Sequence, residues 1–82
     1  MEAKIQNKIK KKLEQNGWKV VKLIRCSVNG MPDIMAMKDG VVKFIEVKQP
    51  KGKLSEIQKY RIKELKQNGF FAEVWIDYEV NF

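Results

Sequence analysis

Eighty-two residues, 44% of them hydrophobic and eight aromatic (four Phe, two Trp, two Tyr), suffice for one domain with a thin core. Seventeen basic against 10 acidic residues leave a net charge of +7, which favours a polyanionic partner. One cysteine and no histidine exclude a disulfide framework and a His- or Cys-rich zinc site, and no apolar run is long enough for a membrane span or signal peptide.

Glu2 to Asn16 carries Ile5, Ile9 and Leu13 at four-residue spacing between lysines, which predicts an amphipathic helix stopped by Gly17 in the C′ position. Trp18 to Cys26 is rich in β-branched residues and reads as a strand, with Cys26 as a small buried hydrophobe. Ser27-Val28-Asn29-Gly30 reads as a turn or loop. Pro32 to Lys38 and Val41 to Lys48 read as strands joined by Asp39-Gly40, a dipeptide favoured in two-residue hairpin turns. After the break at Gln49-Pro50-Lys51-Gly52, Ser55 to Gln58 has capping-box spacing and opens a second helix that ends at Gly69. Phe70 to Tyr78 reads as a final strand. The expected order is α-β-β-β-α-β, an α/β domain spanning residues 1–82.

Three Glu-x-Lys triplets occur: Glu2-Ala3-Lys4, Glu46-Val47-Lys48 and Glu64-Leu65-Lys66. The first and third fall on predicted helices, where residues two apart diverge. The middle one falls on a strand, where residues two apart share a face. A two-residue turn at Asp39-Gly40 sets Lys38 opposite Val41, and counting back along that register sets Asp33 opposite Glu46. Like charges directly opposed are unfavourable unless used. Two carboxylates converging beside Lys48 suit a hard divalent cation.

Gly30-Met31-Pro32-Asp33, a gap of twelve residues and then Glu46-Val47-Lys48 resembles the PD-(D/E)xK signature of restriction-endonuclease-like nucleases. Gly52-Lys53-Leu54-Ser55 followed by Gln58 resembles the continuation typical of the VRR-NUC group, the virus-type replication-repair nucleases. The resemblance covers nearly the whole chain and is to the compact stand-alone type. It implies a restriction-endonuclease-like core with a mixed sheet flanked by helices. Asp33 and Glu46 are implied as metal ligands, Lys48 as the catalytic lysine, Gln58 as the fourth motif residue and Glu2 as the first-helix acid. The implied reaction is Mg²⁺-dependent hydrolysis of DNA phosphodiesters leaving a 5′-phosphate, with Mn²⁺ able to substitute.

Each residue also has a plainer reading. Asp33 could be a turn residue, Lys48 a solvated strand end, Gln58 a helix cap, and Glu2 an acid favoured by the helix dipole. Glu14 is a weaker alternative first-helix acid. Lys8, Lys10, Lys11 and Lys12 form a solvated helix face that could track a DNA backbone. Met31, Met35 and Met37 read as core packing.

Only two of the 17 basic residues are Arg, so structure or strand-end recognition is expected rather than reading of base edges. The resemblance, whose catalytic signature Holliday-junction resolvases share, implies branched DNA as the substrate, four-way junctions included, in replication, recombination or repair. A non-catalytic basic nucleic-acid-binding module is the competing class. A ribosomal or RNA-binding role leaves the Asp33–Glu46 pair unexplained. A homodimer is expected, with Trp75, Tyr78 and Phe82 as an exposed aromatic patch, and the expected setting is the cytoplasm of a bacterial or phage-infected cell.

Overall fold

The computed structural model describes residues 2–76, with side chains from Lys4 onward. Its elements are α1 (Glu2–Gln15), β1 (Lys19–Lys22), β2 (Ile34–Lys38), β3 (Val41–Lys48), α2 (Glu56–Gln67) and β4 (Phe71–Ile76), in the expected α-β-β-β-α-β order. The strands lie side by side as β1-β2-β3-β4. The first three are mutually antiparallel, and β4 runs parallel to β3 after the α2 crossover. The sheet is thus mixed, with one helix on each face.

Helix α1 ends where Trp18 N–H donates to the Leu13 carbonyl at 3.0 Å and Gly17 N–H to Glu14 at 3.1 Å, so the chain turns straight into β1. Ile5, Ile9 and Leu13 pack against Val20, Ile34, Ala36, Ile45, Val47 and Trp75. On the opposite face, α2 rests Ile62 on Phe44 and Ala72, with Met31, Met35, Leu54 and Leu65 half-buried around them. The period of two along β3 therefore sends Ile45 and Val47 to α1, and Phe44, Glu46 and Lys48 to α2.

The β2–β3 hairpin has the register that its turn predicts, from Lys38↔Val41 to Ile34↔Ile45 with no bulge. Asp39 (φ 50°) and Gly40 (φ 81°) both take positive φ, as a type I′ turn requires. The ladder closes at Ile34, so Asp33 is not a paired strand residue and the strand starts two residues later than expected. Strand β1 is shorter than the expected Trp18–Cys26. Extending the β2–β3 register places Pro32 opposite Val47, and proline has no N–H to offer it, so that ladder ends there. On the other side, β1 makes one further bond, from Leu23 N–H to the Asp33 carbonyl, before the chain leaves the sheet.

Past Leu23 the chain leaves the sheet, with Ile24 84% exposed. Cys26 is exposed as well, which corrects its expected burial. Trp75, expected on an exposed patch, is only 8% exposed, because β4 alternation points it into the α1-side core, where its Nε1 donates to Glu73 at 3.0 Å. Tyr78 and Phe82 lie outside the described residues. Met31 and Met35 do pack in the α2-side cluster, while Met37 is half-buried.

Candidate active site

Glu46 is 1% exposed, between the fully buried Ile45 and Val47, which face α1. Burying a carboxylate is costly unless polar partners meet it, and α2 brings one. Gln58 Nε2 donates to Glu46 Oε2 at 3.3 Å. The same side chain closes the start of α2: Gln58 Oε1 accepts from Ser55 N–H at 2.9 Å, and Ser55 Oγ accepts from Gln58 N–H at 3.2 Å. The cap decides which way the amide points. Because its oxygen must meet the Ser55 N–H, only the NH₂ is left to face Glu46. The helix cap and the contact with Glu46, rivals in the sequence, are made by one residue at once.

Asp33 approaches from the other side. Its Oδ2 accepts from the Val47 backbone N–H at 2.8 Å, and its own carbonyl accepts from Leu23 N–H at 2.8 Å. The carboxylate thus takes up an amide beyond the point where Pro32 ends the ladder, which anchors it to the residue next to Glu46. Lys48 shares the Glu46 face and is half-buried. Its stem runs beside Gly52, where an added Cβ would come within 3.3 Å of Lys48 Cδ and 3.2 Å of the Gln49 carbonyl. Gly52 thus leaves room for the lysine to pass.

The loop that carries Asp33 is tied to the helix that carries Gln58. Gly30 has φ +82°, and a Cβ there would lie 2.7 Å from the Ile57 carbonyl oxygen, so any side chain would be both strained and in collision. Arg61 reinforces this contact, donating from Nε to the Asn29 carbonyl at 2.8 Å and from Nη1 to Glu64 at 2.9 Å. The positioning roles of Gly30, Gly52 and Arg61 are not evident from sequence alone. The available signal was that Arg61 is one of two arginines in a lysine-rich chain, and arginine suits fixed, directional bonding.

Glu2 is the first residue of α1, the helix covering the face opposite Glu46, and its side chain lies outside the described residues. Glu14 is exposed and pairs with Lys10 at 3.1 Å on the helix surface, so nothing joins it to the site. Lys11 and Lys12 are exposed on that same helix.

Asp33 and Glu46 supply oxygen donors alone, the chemistry of a hard cation. A carboxylate has about four acceptor positions, so one hydrogen bond does not exhaust it. Among the described residues, no three His, Cys, Asp or Glu side chains cluster as a metal site. Mg²⁺ does not demand that, since it is commonly held by one or two carboxylates, with water and phosphate oxygens completing its shell. The donor set fits such an ion.

The family profile of the VRR-NUC domain matches residues 2–75. A solved structure described as a VRR-NUC domain superposes with a TM-score of 0.81 at 27% identity, covering 92% of this chain and 82% of that one. No match to a curated protein was found. The profile spans the Asp33 loop, Glu46, Lys48 and Gln58 together, and the chain belongs to the VRR-NUC family, a nuclease-type domain whose substrate is nucleic acid.

Proposed function

We propose that this chain is a Mg²⁺-dependent DNA endonuclease selective for branched structures such as Holliday junctions, acting in replication, recombination or repair. The observation that carries the reading is the buried Glu46 carboxylate, met by Gln58 from α2 while Asp33 is anchored to the adjacent Val47 amide. Asp33 and Glu46 would hold the ion, with Mn²⁺ able to substitute. When bound, it supplies charge neutralisation at the phosphate and a water of lowered pKa.

Lys48, on the same face as Glu46, stabilises negative charge developing on the phosphoryl oxygens and orients the attacking water. Gln58 steadies the Glu46 carboxylate by donating to one of its oxygens. Attack of water on phosphorus forms the new P–O bond as the P–O3′ bond breaks; the water gives up its proton to solvent, the O3′ oxyanion takes one up, and the products are a 5′-phosphate and a 3′-hydroxyl. Glu2, at the start of α1, is assigned as an accessory acid.

The protein works as a homodimer in the cytoplasm of a bacterial or phage-infected cell, because cutting two strands of a symmetric junction needs two sites and a chain this short buries a limited core. Trp75 no longer supports the dimer. Among the described residues no helix is long and apolar enough to cross a membrane.

Nicking or cleavage assays on linear, nicked, flapped and four-way DNA, each with Mg²⁺ and with EDTA, test the proposal. Metal-dependent cutting strongest on branched DNA is expected. Inactivity on every substrate, with salt-sensitive binding indifferent to Mg²⁺ and to Glu46→Gln, would instead identify a non-catalytic nucleic-acid-binding module.

A further inference from the structure

The outer flank of α2 carries Lys59, Lys63 and Lys66, spaced four and three residues apart and therefore in one stripe. Beside them, Leu54, Ile62 and Val74 floor a groove of about 370 Å³ between the helix and β4, which is the sheet's edge strand. That volume lies in the range of single-ligand pockets, roughly 300–1,000 Å³, and is far too small for a duplex. The groove adjoins the candidate site through Val74, the register partner of Glu46 across the β3–β4 ladder. Val74 is 39% exposed and Lys63 and Lys66 are exposed, so the groove is open. Lys59 also pairs with Glu56 at 3.5 Å on the surface.

A basic rim over an apolar floor matches a particular ligand chemistry. Phosphates meet the lysines without any reading of base edges, while sugars and base faces lie on Leu54, Ile62 and Val74. A duplex offers its phosphates but keeps its base faces stacked inside, so it has no use for the floor. The lysine stripe spans seven residues of helix, about 10 Å at 1.5 Å per residue, enough for neighbouring phosphates on one strand. The lysines of α1 lack this geometry, because α1 covers the opposite face of the sheet.

We infer that the α2–β4 groove holds an unpaired segment of the substrate strand next to the point of cleavage. This makes single-stranded character beside the scissile phosphate the feature that selects the substrate. The inference rests on the nuclease reading only in taking Glu46 as the cutting point; binding in the groove is separable from it.

Binding is therefore measured in the Glu46→Gln protein by fluorescence anisotropy across a salt series. The probes are a DNA hairpin bearing a single-stranded oligo-dT tail and the same hairpin without it. Lys63→Gln with Lys66→Gln should lower the slope of log affinity against log salt by about 1.4 for the tailed probe, roughly 0.7 per single-strand contact. The untailed hairpin should change little. Lys4→Gln with Lys11→Gln, on α1, should leave the tailed slope within about 0.3 of the parent, since about 0.7 would mark one lost contact. Val74→Ser should weaken tailed binding severalfold at every salt concentration and leave the slope alone. The inference is overturned if the tail adds no affinity, if the α1 pair lowers the slope as much as the α2 pair, or if Val74→Ser has no effect. A chain that binds as predicted yet never cuts DNA would refute the nuclease reading and leave the groove standing.

Discussion

The two faces of the sheet are built to different standards. On the α1 face, Ile9, Leu13, Ile34, Ala36, Ile45 and Val47 are each 1% exposed or less, an apolar layer with no charged member. On the α2 face the buried cluster is only Phe44, Ile62 and Ala72, ringed by half-exposed side chains, and a buried carboxylate takes the next outward place after Phe44. One strand, β3, serves both, because consecutive residues point to opposite faces. The lesson is a division by parity at the end of β3: Ile45 and Val47 pack into the α1-side core, while Glu46 and Lys48 face α2 and the candidate site.

If that division is right, the largest stability effect comes from the α1 face. Ile9→Ala should cost about 2–5 kcal/mol, as for other buried aliphatic truncations. At about 4–8 °C per kcal/mol for a domain of this size, thermal melts should find it largely unfolded at modest temperature. An unchanged melting curve would break the comparison at its root.

Glu46→Gln should do the reverse. Loss of a carboxylate that holds the ion should abolish detectable cleavage, while removal of a buried charge leaves the metal-free fold equally or more stable. Glutamine still offers a carbonyl to the Gln58 amide. Calorimetry alongside a cleavage assay checks both halves. A destabilisation above about 1 kcal/mol, the size typical of substitutions that remove structural contacts, would mean that Glu46 is structural. Mg²⁺ should raise the melting temperature of the parent and do little for this variant.

Asp33 sharpens the boundary, because it belongs partly to each category. Its bond to the Val47 amide makes it a structural acceptor as well as a candidate ligand. Asp33→Ala should lose about 1–3 kcal/mol through the stranded amide. Asp33→Asn should keep that acceptor and the stability while losing cleavage. Denaturant melts that rank the two variants equally would remove the structural half of its role.

Much of this was legible in advance for a physical reason. Asp39-Gly40 specifies a two-residue turn, the turn specifies the register, and strand parity does the rest, so Glu46 and Lys48 could be assigned to one face before any coordinates. What was not legible depends on chain segments that meet only in three dimensions. Val20, Val21 and Ile24 all favour strand, which predicts β1 running to Cys26, but its pairing with β2 stops at Lys22↔Ile34, a limit that local preference does not encode. The exposure of Cys26 follows from the same early end of β1. Trp75 faces inward because β4 runs parallel to β3 and buries its α1 side, as parallel strands commonly do. Gly30 and Arg61 could not be recognised as a clamp without seeing the Asp33 loop dock on α2.

The side chain of Gln58 closes the first turn of α2 with one end and meets Glu46 with the other. Folding and function therefore share a thermodynamic linkage. Coupling of this kind is reciprocal: whatever steadies the helix start also steadies the Glu46 carboxylate, and a ligand that draws on Glu46 is felt as a change in how firmly α2 begins. Cooperativity between binding and local order is thus wired through a single amide. Amide protection at Ser55 should follow occupancy of the site even though no substrate need touch that residue.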